Sequence, residues 1–141
     1  MNVILRSEAL SVTINSNGAE ICSILDMSGH EFIWQAEREI WPRHAPVLFP
    51  IVGKLKEGKF EHQGICYPLA QHGFARDLEF ETMSYNESEC SFRLKSSPVT
   101  KEHYPFDFEF TIKYSLVGNT LATEYTVANQ CKEAMSFSIG A

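Results

Sequence analysis

No run in this sequence of 141 residues approaches the roughly 20 consecutive apolar residues that a membrane-spanning helix needs. The first eight residues, Met1 to Glu8, have no basic region ahead of an apolar run, so they do not read as a secretion signal. Basic excess is also missing. Twelve Lys and Arg stand against 18 Asp and Glu, a net charge of −6, which argues against a partner rich in phosphate such as a nucleic acid. The four cysteines, Cys22, Cys66, Cys90 and Cys131, form no Cys-x-x-Cys pair, and the five histidines show no His-x-His or His-Glu-x-x-His spacing. Neither a metal site nor a disulfide framework is therefore expected. There is no Gly-x-Ser-x-Gly elbow. Gly53-Lys54 lacks the rest of a phosphate loop, so serine hydrolysis and nucleotide binding have no support. Repeats, low-complexity tracts and linkers are absent too. The expectation is one unit lying in the cytosol, with the cysteines as small core or half-buried residues.

What is present is alternation. From Phe106 to Leu116 every second residue is Phe, Ile, Tyr or Leu, and the residues between are Asp, Glu, Thr, Lys and Ser. A period of two over this length predicts a half-buried antiparallel strand. Gly118-Asn119 predicts a tight turn into a second strand, Thr120 to Ala128, with Leu121, Tyr125 and Val127 facing inward. Further hairpins are predicted around Asn15 to Gly18, Gly64, and Asn86 to Ser88. A last strand is predicted over Met135 to Ile139. Glu37 to Trp41 and Thr100 to His103 offer at most one helical turn each. The fold class is all-β, an antiparallel β-sandwich.

Trp41 to Lys56 departs from this pattern, because it holds three of the six prolines, Pro42, Pro46 and Pro50. Proline removes a ladder donor, so the stretch is not a central strand throughout. Two readings stay open: the wall of a pocket carrying Arg43, His44 and Lys54, or a buried crossover that packs Val47, Leu48 and Phe49. His44 reads as structural. His30, His62 and His103 read as solvated, and Trp34 and Trp41 read as core packing.

Four blocks carry a family resemblance: Gly18-Ala19-Glu20-Ile21, Phe32-Ile33-Trp34-Gln35, Ala45-Pro46-Val47-Leu48-Phe49-Pro50-Ile51-Val52-Gly53, and Gln71-His72-Gly73-Phe74-Ala75-Arg76-Asp77. Together with Asn129 and Phe137 to Ala141, they resemble the aldose 1-epimerase (galactose mutarotase-like) superfamily, in particular its LacX-type bacterial branch. The similarity covers essentially the whole chain. It implies a large sandwich, the galactose mutarotase-like supersandwich, that holds a hexose or hexose phosphate on a concave sheet face. It also implies interconversion of α and β anomers by acid–base ring opening, with no cofactor, metal, nucleic acid or membrane.

Carried over, the resemblance makes His72 a donor to sugar hydroxyls. It places Arg43 and Lys54 about the Phe-Pro-x-x-Gly block as cationic sugar ligands, and Arg76 as a group that orients His72 or contacts substrate. No catalytic residue falls within the chain. In the family the catalytic His follows a Gly-Ala pair in a His-Pro-x-Phe context, and the catalytic Glu comes later still. Residues 1–141 are therefore expected to be the N-terminal part of one sandwich domain, inactive alone. The strand from Met135 to Ile139 should then present an open edge, so self-association or a complementary C-terminal half is expected. The alternative is a non-catalytic carbohydrate-binding or purely structural sandwich.

Overall fold

The computed structural model describes residues 1–141. Nine strands form three antiparallel groups. The first sheet runs in order β1 (Asn2–Arg6), β2 (Leu10–Asn15), β3 (Glu20–Asp26). A separate hairpin pairs β4 (Lys59–His62) with β5 (Ile65–Pro68). The third sheet runs in order β6 (Glu81–Tyr85), β7 (Glu89–Lys95), β8 (Phe108–Val117), β9 (Thr120–Asn129).

The alternating face of β8 is the centre of the core. Phe108, Phe110, Ile112, Tyr114 and Leu116 are buried, joined by Cys90, Phe92 and Leu94 of β7 and by Val3, Leu5, Val12 and Ile14 of the first sheet. This is the sandwich that the period of two predicts: β1, β2, β7 and β8 alternate buried residues with more exposed ones, whereas Leu121, Tyr125 and Val127 of β9 are only half-buried against the core. The buried Tyr114 hydroxyl donates to the Ala19 carbonyl at 2.7 Å, so the one polar group on that inner face is satisfied across the two layers. Desolvation pushes the Cys90 thiol up to about 12, and that cysteine behaves as a small apolar residue. Cys22 and Cys131 are half-buried, whereas Cys66 is exposed on β5 and departs from the core expectation.

Turns follow their sequence chemistry. Val117 pairs with Thr120 around Gly118-Asn119, and only Gly118 takes positive φ, as a turn with glycine first requires. The Asn86 side chain accepts from the amides of Ser88 and Glu89 at 2.8 and 2.9 Å. The single helical turn, α1 (Pro98–Lys101), is capped reciprocally by Ser97 and Thr100 and sits two residues earlier than expected.

Three expectations need correction. Strand β1 went unread. Met135 to Ile139 is not a regular strand: Ser138 N–H donates to the Pro50 carbonyl, and Gly140 exchanges two hydrogen bonds with Leu48. Pro50 has no N–H to return, so this ladder cannot lengthen. His62 and His103 are half-buried rather than solvated. His62 lies 3.5 Å from Glu133 and packs on Phe106, while His103 Nδ1 reaches the Pro68 carbonyl at 2.9 Å.

Candidate functional site

The Trp41–Lys56 stretch answers each of its readings in part: of Arg43, His44 and Lys54 only Lys54 lines a hollow, and of Val47, Leu48 and Phe49 only Leu48 is not buried. Val47 and Phe49 are buried in the core, while Pro46 and Leu48 turn part of their surface to a hollow. Phe49 is the pivot. Its carbonyl accepts from the amides of Phe74 and Ala75 at 3.0 and 3.1 Å. This draws the Gln71–Asp77 block onto the crossover. The approach leaves no room at Gly73, which has φ +71: a Cβ there would overlap the Phe49 carbonyl and stand 2.7 Å from Pro50 Cδ.

His72 precedes that glycine and itself adopts φ +68, a region in which histidine is tolerated better than most residues. Two hydrogen bonds hold it there. Its N–H donates to the Gly53 carbonyl at 2.8 Å, and the Gly53 N–H donates to its Nδ1 at 3.0 Å. With Nδ1 accepting, the ring proton of neutral His72 sits on Nε2. The Gln71 side-chain nitrogen lies 3.3 Å from Nε2, and since both groups are donors this contact leaves the Nε2–H free for a ligand oxygen.

His72 lines an open hollow of about 390 Å³ with Trp41, Pro46, Leu48, Gln71, Arg76 and Ala141. Arg76 belongs to a short 3-10 turn, Ala75–Asp77. One of its terminal nitrogens donates to the Gln71 carbonyl at 2.9 Å, while its Nε is buried, without a hydrogen bond, 3.7 Å from Asp77 Oδ2. Arg43 reaches the same carboxylate, donating to Asp77 Oδ1 at 2.8 Å. Asp77 therefore ties the two guanidiniums together.

Lys54 is exposed and lines a neighbouring hollow of about 440 Å³, together with Gln71, Gly73, Phe74, Asp77 and His103 among others. Of the four residues singled out by sequence, His72 and Arg76 thus share one hollow. Arg43 joins them through Asp77, and Lys54 faces the adjoining space. Three cations and one carboxylate make this a locally positive area on a chain of net charge −6.

Gln71 and Gly53 carry no sequence signal as partners of His72; Asp77 reads from the sequence as an ion-pair partner of its neighbour Arg76, which the structure places at 3.7 Å, but not as a partner of Arg43. Arg43 and Asp77 are 34 positions apart, and nothing local in the sequence pairs them. Trp34 and Trp41, read as core, are both partly exposed, at 38% and 46%. His44 is structural: its amide donates to Glu20, and its Nδ1 meets the Trp34 carbonyl at 2.9 Å. The loop beyond β3 is pinned by Glu31. Desolvation works against that carboxylate, but Ser23 Oγ and the amides of Ile33 and Ile24 bond it and hold its pKa below the usual range. No three His, Cys, Asp or Glu side chains gather where they could hold a metal ion. No helix is long and apolar enough to cross a membrane.

Two stacked antiparallel layers with a hollow at one side make an antiparallel β-sandwich, and its likeness to solved structures makes that sandwich galactose mutarotase-like. The sequence pattern of aldose 1-epimerases matches residues 1–141, and the chain belongs to that family. It is 33% identical to chromosomal protein LacX of Lactococcus lactis subsp. lactis, over all of this chain and 49% of that protein. The galactose mutarotase related enzyme of Lactobacillus acidophilus superposes with a TM-score of 0.97 at 42% identity, across 99% of this chain and 47% of the other. A galactose mutarotase-like protein of Lactobacillus casei gives a TM-score of 0.95 at 29% identity, across 99% and 48%. The chain spans about half the length of the relatives it matches.

Proposed function

We propose that these residues form the hydroxyl-binding part of an aldose 1-epimerase-type isomerase acting on a hexose or hexose phosphate in the cytosol. The observation that carries this reading is the clasp between His72 and Gly53. It commits Nδ1 to the backbone and turns a fixed Nε2–H toward a hollow that also holds Arg76. Mutarotation needs a base to take the anomeric proton and an acid to protonate the ring oxygen. The ring then opens, the C1–C2 bond rotates, and closure on the other face reverses the roles. His72 and Arg76 supply donors that hold the hydroxyls during this sequence. Arg43 and Lys54 add positive charge, which suits a phosphorylated sugar.

Both proton handlers lie, in this reading, outside the 141 residues. The one carboxylate touching the site's arginines is Asp77, and it is engaged by Arg43 and Arg76. The chain alone is therefore expected to leave the polarimetric decay of fresh α-D-glucose at the buffer rate, since each positioned proton donor or acceptor contributes about 10²–10⁴-fold. A rate clearly above the blank would overturn that assignment. Weak binding of D-glucose or D-galactose should remain measurable by calorimetry. His72→Asn, which keeps a residue tolerant of positive φ, should weaken it about tenfold, the worth of one hydrogen bond of about 1.4 kcal/mol. Equal affinity in that variant would remove His72 from the site.

We also propose that the outer edge of β9 takes a further strand, from a second copy or from a complementary C-terminal half. This strand of ten residues ends the sheet order β6-β7-β8-β9, so one side of its backbone lacks a ladder partner. Met135 to Ile139 is the less open candidate, since the Ser138 amide bonds the crossover, and β9 is the longest strand at the end of a sheet. Light scattering should report a mass above that of the 16.0 kDa monomer. A clean monomer at high concentration would count against the proposal.

A further inference from the structure

We infer that Trp41 is an aromatic platform against which a sugar ring stacks, which makes it a specificity-determining residue of the hollow. The inference rests on the sugar-binding reading above and adds the group that selects for a ring. The hollow is lined by two unlike sets of residues. Gln71, His72 and Arg76 present N–H donors, whereas Trp41, Pro46 and Leu48 present carbon. A pyranose has the same duality, with hydroxyls around its rim and C–H groups on its faces. A flexible polyol offers the hydroxyls without the flat apolar face.

The state of Trp41 supports the assignment. A tryptophan left 46% exposed forgoes much of the burial that would otherwise stabilise the fold. Yet it is held firmly. Its amide and that of Ile40 both donate to the Glu37 carbonyl, at 2.8 and 2.9 Å. Its own carbonyl accepts from the Trp34 indole at 2.9 Å, and the Trp34 carbonyl meets His44 Nδ1 at 2.9 Å. The His44 amide is in turn bonded to Glu20 of β3. This chain of bonds ties the backbone that carries the exposed indole to the sheet, so a ligand has no loop to order there. Stacking on an indole, which has only two side-chain torsions to order, suits the amphipathic character of a sugar ring.

The test is calorimetry and fluorescence on the full chain with D-galactose, D-glucose and acyclic D-mannitol. Both hexoses should bind and shift the tryptophan emission, while mannitol should do neither. Trp41→Phe should keep hexose affinity within about threefold but abolish the emission shift, because Trp34 is then the sole tryptophan. Trp41→Ala should weaken both hexoses about tenfold. If the hexoses bind the wild-type chain and Trp41→Ala binds them equally, the platform is overturned and the sugar-binding reading stands. If mannitol binds as well as the hexoses, ring selection is overturned. If no hexose binds the wild-type chain at all, the sugar-binding reading falls and the platform falls with it.

Discussion

Gly73→Ala should lower the thermal midpoint by about 10 °C or more, or prevent folding, whereas Gly53→Ala should be a mild change. Both glycines have positive φ, +71 and +84. An L side chain in that region costs about 1–2 kcal/mol. The difference lies in what a methyl group would meet. At Gly53 nothing stands within 4 Å of the added carbon. At Gly73 it would overlap the carbonyl of Phe49, the acceptor that holds Phe74 and Ala75. Backbone cannot step aside as a flexible side chain can, so overpacking of about 1–3 kcal/mol adds to the strain. The sum, about 2–5 kcal/mol, is a large share of the stability of a domain this size. Calorimetric melting of the two variants separates the effects. Equal midpoints would show that conformation alone, and not the close approach, demands glycine here. Any Gly73→Ala protein that folds should also lose sugar affinity, because His72 hangs on the same turn.

The hairpins were legible because their signal is local. A strand such as Phe108–Val117 writes its two faces into consecutive residues, and Gly118 writes the turn. β1 was missed because Val3 and Leu5 are only two inward positions, too few for a period to stand out. Met135 to Ile139 alternates as a strand does, but its partner contains Pro50, and only the pairing partner reveals that the ladder must stop. The site divides in the same way. His72 and Arg76 stood out through resemblance, and the turn between them is local. The link from Arg43 to Asp77 joins distant parts of the chain, and a salt bridge of that kind leaves no trace in spacing. Trp41 shows a further limit. Periodicity tells which face of a strand is inward, but Trp41 lies in a loop, where burial depends on what the rest of the chain places against it.

Phe49→Ala should cost about 3–5 kcal/mol in urea unfolding, the range for a buried phenylalanine. Trp41→Ala, though it removes a larger side chain, should change stability by no more than about 0.5 kcal/mol. Phe49 is fully buried, and its ring lies 4.6 Å from Phe110 and 5.2 Å from Phe108, with Phe74, Tyr104 and Phe137 within 6.3 Å. The surrounding rings sit on β8, on the loop that precedes it, on the 71–77 block and on the segment beside Gly140, so no single element can move in to fill the void. Trp41 is left 46% exposed, so its removal opens no enclosed void. The two aromatic residues lie eight positions apart in one crossover and divide its work, one anchoring it to the core and the other facing the hollow. Phe49→Leu, which leaves a smaller cavity, should recover at least half of the loss. A cost below about 1 kcal/mol for Phe49→Ala would mean that the crossover is held by its backbone hydrogen bonds to Phe74, Ala75 and Gly140 rather than by its place in the aromatic core.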